Sequence, residues 1–352
     1  MAGQSGQSGW GGWGGWGGWG GWGGWGAGGG GGGGGGTDPL VADALMRSRE
    51  GTVLQNISPL STPIYPQAAI GSTNSMHRWE PLLRFNVALF DLLSGLEFVT
   101  DNAKKSAQLH IGKNPQALIT MHRPDDAFFK KQFELVKSYA EIRGDRAAEI
   151  IAQMRPQVPF WSAAIHMHPA HTAKTLELVE LALGFASVIC MRFKQAMAVA
   201  RPIDWSAEIQ PLIATPSHSA YPSGHATEAY MIAYTLPSLI APAGPSRNHF
   251  AAQLLAQAHR IAENRTVAGV HFPVDSLAGQ TLAKALADYF LLQCGKLDKV
   301  FLQTVKPVDA DADTDFKANS FVPNTAGELT DLVTSNTSPL RWITTAADKE
   351  WR

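Results

Sequence analysis

Cysteine is nearly absent: Cys190 and Cys294 are the only two in 352 residues. Each sits in an apolar, helical context and reads as a small buried hydrophobe, so no disulfide framework is expected. Charge is scarce too. Lysine and arginine (29) and aspartate and glutamate (30) leave a formal net charge of -1. That balance gives no electrostatic footprint for nucleic acid or for an anionic membrane. No uninterrupted apolar run reaches the roughly 18 residues that a bilayer span needs, so no transmembrane segment is expected. No convincing apolar–polar alternation extends past four residues, so strands are not expected either.

What is abundant comes first as glycine and tryptophan. Residues 1–36 carry Trp10, Trp13, Trp16, Trp19, Trp22 and Trp25 at a spacing of three, followed by polyglycine to Gly36. Glycine gives up more backbone entropy on folding than any other residue, and six tryptophans without a partner surface do not offset that. The segment reads as a disordered low-complexity tail, engineered or artefactual, and stays outside the fold reasoning. Because it can mask a native N-terminus, localisation is left open: soluble, and either cytoplasmic or exported. Residues 37–352 are read as a single α-helical catalytic domain.

Helical periodicity dominates that domain. Apolar residues recur at three-to-four spacing from Trp79 through WEPLLRFNVALFDLLSGLEFV, and again from Phe128 through FFKKQFELVKSYAEI. The stretch from Ala173 to Ala200 is apolar enough to be a central buried helix. Further helices are predicted from His225 to about Ile240, from about Ser246 to Ala262 and from Pro273 to about Gln293. MHRPDD, near His122, predicts a helix start with Asp125 and Asp126 in the favoured first turn. The chain after Lys306 is polar and reads as mostly irregular. The fold class is therefore an all-α helical bundle, and its long amphipathic helices admit a homodimer.

Three stretches carry chemistry. In YPSGHATEAY, Ser223 is a good N-cap, and the N–H groups of Gly224 and His225 are left free at a positive helix end. That is an anion site with an acid/base side chain beside it. Upstream, KQAMAVARP sets Lys194 and Arg201 seven residues apart. Seven residues is two helical turns, so both cations are expected on one face, with Pro202 ending the helix. Downstream, NRTVAGVHFPVDS supplies Arg265, then His271 just before the Pro273 turn, then Asp275. A carboxylate four residues after an imidazole can fix its tautomer and leave the other nitrogen free as a nucleophile or ligand. Three cations, a hydroxyl, a backbone donor and two histidines suit a tetrahedral oxyanion: phosphate, or vanadate.

The ordered pattern K-x6-RP, PSGH and R-x5-H-x3-D resembles the signature shared by vanadium-dependent haloperoxidases and type 2 phosphatidic acid phosphatases, with the bacterial acid phosphatases. The resemblance covers roughly residues 190–280. It implies that Lys194, Arg201 and Arg265 bind the equatorial oxygens, with Ser223 and Gly224 donating to them. It implies that His271 makes the covalent link, to vanadium or to phosphorus, that Asp275 orients it, and that His225 moves the proton. The sequence departs from many members in one place, carrying Asn264 before the third-block arginine where serine is common; asparagine can still donate a hydrogen bond.

Two chemistries share that pocket. His218, seven residues before His225, is similar in position to a histidine on the halide side of bromoperoxidase-type members, and it favours the haloperoxidase. That reading takes vanadate as cofactor, with halide and hydrogen peroxide as substrates. The alternative is phosphomonoester hydrolysis through a phosphohistidine at His271. A third, non-enzymatic reading is a helical interaction module that kept the pocket. His166, His168 and His171 stand at a spacing able to hold Zn or Cu, but no carboxylate or cysteine neighbours them. Trp161 and His166 are further candidates for the pocket mouth.

Overall fold

The computed structural model describes residues 39–52, 59–307, 313–316, 325–330, 332 and 337–352. The Gly/Trp segment lies outside the described residues. The helices are α1 (Pro39–Thr52), α2 (Pro81–Ser94), α3 (Asp126–Ser138), α4 (Arg143–Ala152), α5 (Val158–Ser162), α6 (Ala173–Met197), α7 (Pro202–Trp205), α8 (Gly224–Ile240), α9 (Pro245–Val267), α10 (Pro273–Cys294) and α11 (Pro339–Ala347). Helix α10 is buried along nearly its whole length, and α6, α8 and α11 pack around it. Asp125 caps α3 by accepting from the Phe128 amide at 2.9 Å.

The all-α expectation is corrected by a sheet. Strands β1 (Leu96–Asp101), β2 (Ser106–Ile111), β3 (Ala117–His122), β4 (Val300–Val305) and β5 (Thr325–Leu329) stand side by side in that order among the described residues. The β3–β4 pair is parallel and the other three are antiparallel. The run predicted as one helix from Trp79 breaks at Gly95 and continues as β1. A Cβ at Gly95 would stand 2.5 Å from the Tyr289 hydroxyl, so α10 closes tightly on this turn. The C-terminal stretch, expected to be irregular, supplies both β5 and α11.

One further boundary bears on the site. Helix α6 stops at Met197, because Ala198 is left-handed (φ 49°) and its amide bonds back to Lys194 O at 3.0 Å. Arg201 is therefore the extended residue that opens α7, and the two cations do not share a helix face as the spacing suggested. They converge because the chain reverses between them.

Helix α2 crosses α6 through one polar and one steric lock. Arg84 forks onto Glu177, with Nε 2.8 Å from Oε2 and Nη2 2.6 Å from Oε1. Gly184 lets the Phe85 ring approach so closely that a Cβ would stand 2.5 Å from its Cζ. Both cysteines are buried and unpaired by disulfide, as expected. Among the described residues, no helix is long and apolar enough to cross a membrane.

Candidate active site

The three sequence blocks meet at one cavity of about 150 Å³. Lys194 enters from the last turn of α6, Arg201 from the start of α7 and Arg265 from the last turn of α9. Gly224 and His225 form the first turn of α8, and His271 stands just before α10. His218, from the loop before α8, lines the same space.

The state of His271 follows from its partners. Asp275 Oδ2 accepts from the Phe272 amide at 2.9 Å and faces His271 Nδ1 at 2.9 Å. A carboxylate only accepts, so Nδ1 carries the hydrogen and Nε2 keeps a lone pair. Arg201 Nη1 lies 3.0 Å from that Nε2. Burial first, then the Arg201 and Lys194 charges, hold the imidazole well below its ordinary pKa, so it is neutral. Burial also raises the Asp275 carboxyl, against the Phe272 amide and the two cations, which pull it down.

Arg201 is fully engaged by His218, Ser219, Val270 and His271, but the other two cations are underused by the protein itself. Lys194 Nζ donates to Ser219 O (2.8 Å) and Ala220 O (2.9 Å), which leaves one of its three protons. Arg265 Nη2 reaches Ile150 O (3.2 Å) and Gln153 Oε1 (2.9 Å). Its Nε and Nη1 are buried without a partner. Each such orphan costs about 1–3 kcal/mol, and a ligand oxygen would remove that cost. Burial lowers Lys194 below its ordinary value and takes Arg201 and Arg265 each to about 10. This is an anion site in its chemistry: dry cations, unpaired donors and a helix N-terminus.

Two more histidines have fixed roles in the network. His225 Nε2 lies 3.1 Å from Gln153 O; a carbonyl only accepts, so Nδ1 is left as an acceptor. Burial, then Arg265, depress this ring to about 3. His218 Nδ1 lies 3.0 Å from Arg201 Nη2 and 3.2 Å from Ser219 O. The guanidinium can only donate and the contact is shorter, so Nδ1 accepts and Nε2 carries the hydrogen. Burial, then Lys194, lower His218 to about 4. Ser223 is fully buried, caps α8 by accepting from Ala226 N at 3.4 Å, and is not among the cavity-lining residues.

Gln153 gave no signal in the sequence. It lies just past α4, is completely buried, and ties two site residues together. Its carbonyl takes His225, and its Oε1 takes both Arg265 and Asn264 Nδ2 (3.0 Å). Asn264 thus acts behind the cavity. Gln153→Ala is expected to lower kcat/KM about 10–100-fold. Steady-state kinetics on the purified variant test this, and a wild-type kcat/KM would contradict it.

Of the two mouth candidates, Trp161 lines the cavity and His166 does not. The His166–His171 segment is a loop in which His168 Nδ1 accepts from the Ala170 amide at 3.1 Å. No group of three metal-ligating side chains occurs among the described residues. Sequence reasoning also missed Glu180, Glu228 and Gln157 on the cavity wall; only their approach in space links them to the motifs.

Comparison with curated proteins gives no match. The family model described as the PAP2 superfamily matches residues 177–297. That stretch runs from the first turns of α6 to just past α10 and holds all three blocks, with Lys194, Arg201, Arg265 and His271 among them. Residues 177–297, which supply most of the cavity wall, are thus similar to the PAP2 superfamily.

Proposed function

We propose that this chain is a vanadate-dependent haloperoxidase that oxidises halide with hydrogen peroxide. The residues suit the cofactor: Arg265 carries two buried, unpartnered donor nitrogens, and a neutral imidazole presents a lone pair beside three cations. Lys194, Arg201, Arg265 and the Gly224 amide would hold the oxygens, and His271 Nε2 would bind the central atom. Vanadate, when bound, supplies a Lewis-acidic centre at which peroxide is activated toward halide.

The chain's own residues divide the remaining work. Asp275 keeps the His271 proton on Nδ1, so Nε2 stays available. His225 is neutral with Nδ1 free, the form of a base that takes a proton from an incoming peroxide. His218 carries the observation that supports halide chemistry best. Arg201 forces its hydrogen onto Nε2, so a neutral N–H donor belongs to the cavity wall, where it can hold a monovalent anion without a competing full charge.

The cleft that continues past these residues favours a second reading, phosphomonoester hydrolysis, because it has room for an organic leaving group. There His271 Nε2 would attack phosphorus and His225 would have to donate a proton. A bound dianion raises the pKa of His225 toward that role.

The test is a pair of assays: bromination of a phenolic dye with peroxide and saturating orthovanadate, and p-nitrophenyl phosphate hydrolysis without vanadate. Bromination is the expected activity. Its absence at saturating vanadate ends the haloperoxidase reading. His218→Ala is expected to lower bromination by about tenfold or more, the loss of one hydrogen bond to a charged group, and to spare phosphate hydrolysis. Equal losses in both assays would remove His218 from the halide side.

A further inference from the structure

Past the cations the cavity runs on as a cleft along α6, and its wall changes sign. Glu180, Gly184, Ser187, Cys190 and Lys194 all line it. Their three-to-four spacing keeps them on one helix face. Lys194 stands at the cradle end. Glu180 is about 21 Å back along the axis at about 1.5 Å per residue, and Ser187 is midway. Glu228 lines the cleft from the opposite side, about 6 Å along α8 from Gly224. It shares a hydrogen bond with Ser187.

A third polar group stands on the same wall with nothing to bond. Gln157 is 5% exposed, lines the cavity, and its Oε1 has no partner among the described residues. Phe85, Met154, Val158 and Leu183 supply apolar surface around these groups. The wall thus presents two carboxylates and an unpaired acceptor on an apolar background. Halide, or a second phosphate, would meet like charge there. A metal ion lacks ligands, since no third carboxylate, histidine or cysteine joins the pair among the described residues.

We propose that this cleft is a subsite for an ammonium group on the organic substrate, with Glu228 as its counterion and Gln157 Oε1 as a further acceptor. An alkylammonium has three donors and no acceptor, and its methylene stem suits the apolar wall. Burial holds the Glu228 carboxyl up to about 7, so a cation that pairs with it draws it into the ionised form. The substrate class is then an organic amine, whether it leaves from a phosphoester or receives the oxidised halogen. The inference rests on the cradle reading, because the anion at Lys194, Arg201 and Arg265 sets the register of what lies beyond.

Calorimetric titration of the full chain at pH 8, without vanadate, separates the two ideas. The probes are inorganic phosphate, butyl phosphate and 4-aminobutyl phosphate. Phosphate binding reports the cradle alone. The aminobutyl ester is expected to bind at least about tenfold more tightly than the butyl ester, the gain of one charge-assisted hydrogen-bonded contact. In Glu228→Gln that ratio is expected to fall below about threefold, with inorganic phosphate still bound. Equal binding of the two esters by the wild type, with phosphate bound, overturns the subsite and leaves the cradle standing. An undiminished ratio in Glu228→Gln overturns the assignment to this carboxylate. No phosphate binding at all overturns the cradle, and the subsite with it.

Discussion

Asp275→Asn is expected to lower turnover by about one to two orders of magnitude in a protein that still folds. The carboxylate now accepts twice through Oδ2, from the Phe272 amide and from His271 Nδ1. Asparagine can place its oxygen where Oδ2 stands and accept both bonds, but it carries no negative charge, and its NH2 then takes the buried Oδ1 position, where no partner meets it. The charge that steadies the His271 ring as its Nε2 forms a bond is lost. The substitution changes few atoms and keeps the volume, so the loss reports that charge. Initial rates of dye bromination and of p-nitrophenyl phosphate hydrolysis both measure it. A variant within tenfold of the wild type would mean that the Asp275 charge does not support the reacting His271.

The second large effect is expected at a position with no polar atom in its side chain. A Cβ on Gly279 would stand 2.6 Å from Ser223 O, 2.9 Å from Ala226 Cβ and 3.2 Å from Thr227 N. Those contacts are the first turn of α8, the same turn that presents Gly224 and His225 to the cavity. Two of the three are backbone atoms, so no side-chain rotation relieves them. Gly279→Ala should force α10 and α8 apart, at a stability cost of about 1–3 kcal/mol or more. For a chain of this size that is a fall in Tm of several degrees. Because the Ser223 amide is also held by Asp275 O at 2.8 Å, the displacement reaches the His271–Asp275 pair, and anion binding should weaken in parallel. Thermal melts with and without phosphate read both effects. An unchanged Tm would show that the two helices are not packed as described.

These two residues also mark what the amino-acid sequence discloses. Asp275 was legible because its geometry is local: a four-residue spacing across a proline-started helix brings carboxylate to imidazole wherever the segment folds. The PSGH turn and the long apolar helices were legible for the same reason. Gly279 was not, because nothing in α10 says which backbone it will touch. The sheet was hidden for a related reason. Strand β1 follows α2 directly and carries on its three-to-four apolar spacing, so periodicity alone extends the helix through Gly95. Strands β3 and β4 pair in parallel across most of the chain, and such pairing leaves no short-range pattern. Lys194 and Arg201 were rightly expected at one site for a wrong reason: they meet through the left-handed turn at Ala198 rather than along one helix. Gln153 could not be seen at all, since its function is to offer a carbonyl and an amide to residues more than 70 positions away.

All of this depends on three distant segments gathering lysine, two arginines and one neutral imidazole around a single oxyanion. The most direct measurement is a crystal structure of the full chain grown with orthovanadate. The account predicts one vanadate bonded to Nε2 of His271 and within hydrogen-bond reach of Arg201, Lys194 and the two donor nitrogens of Arg265 that have no partner in the protein. An empty cavity at saturating orthovanadate, or an anion bound elsewhere with those Arg265 atoms still unpaired, would contradict it.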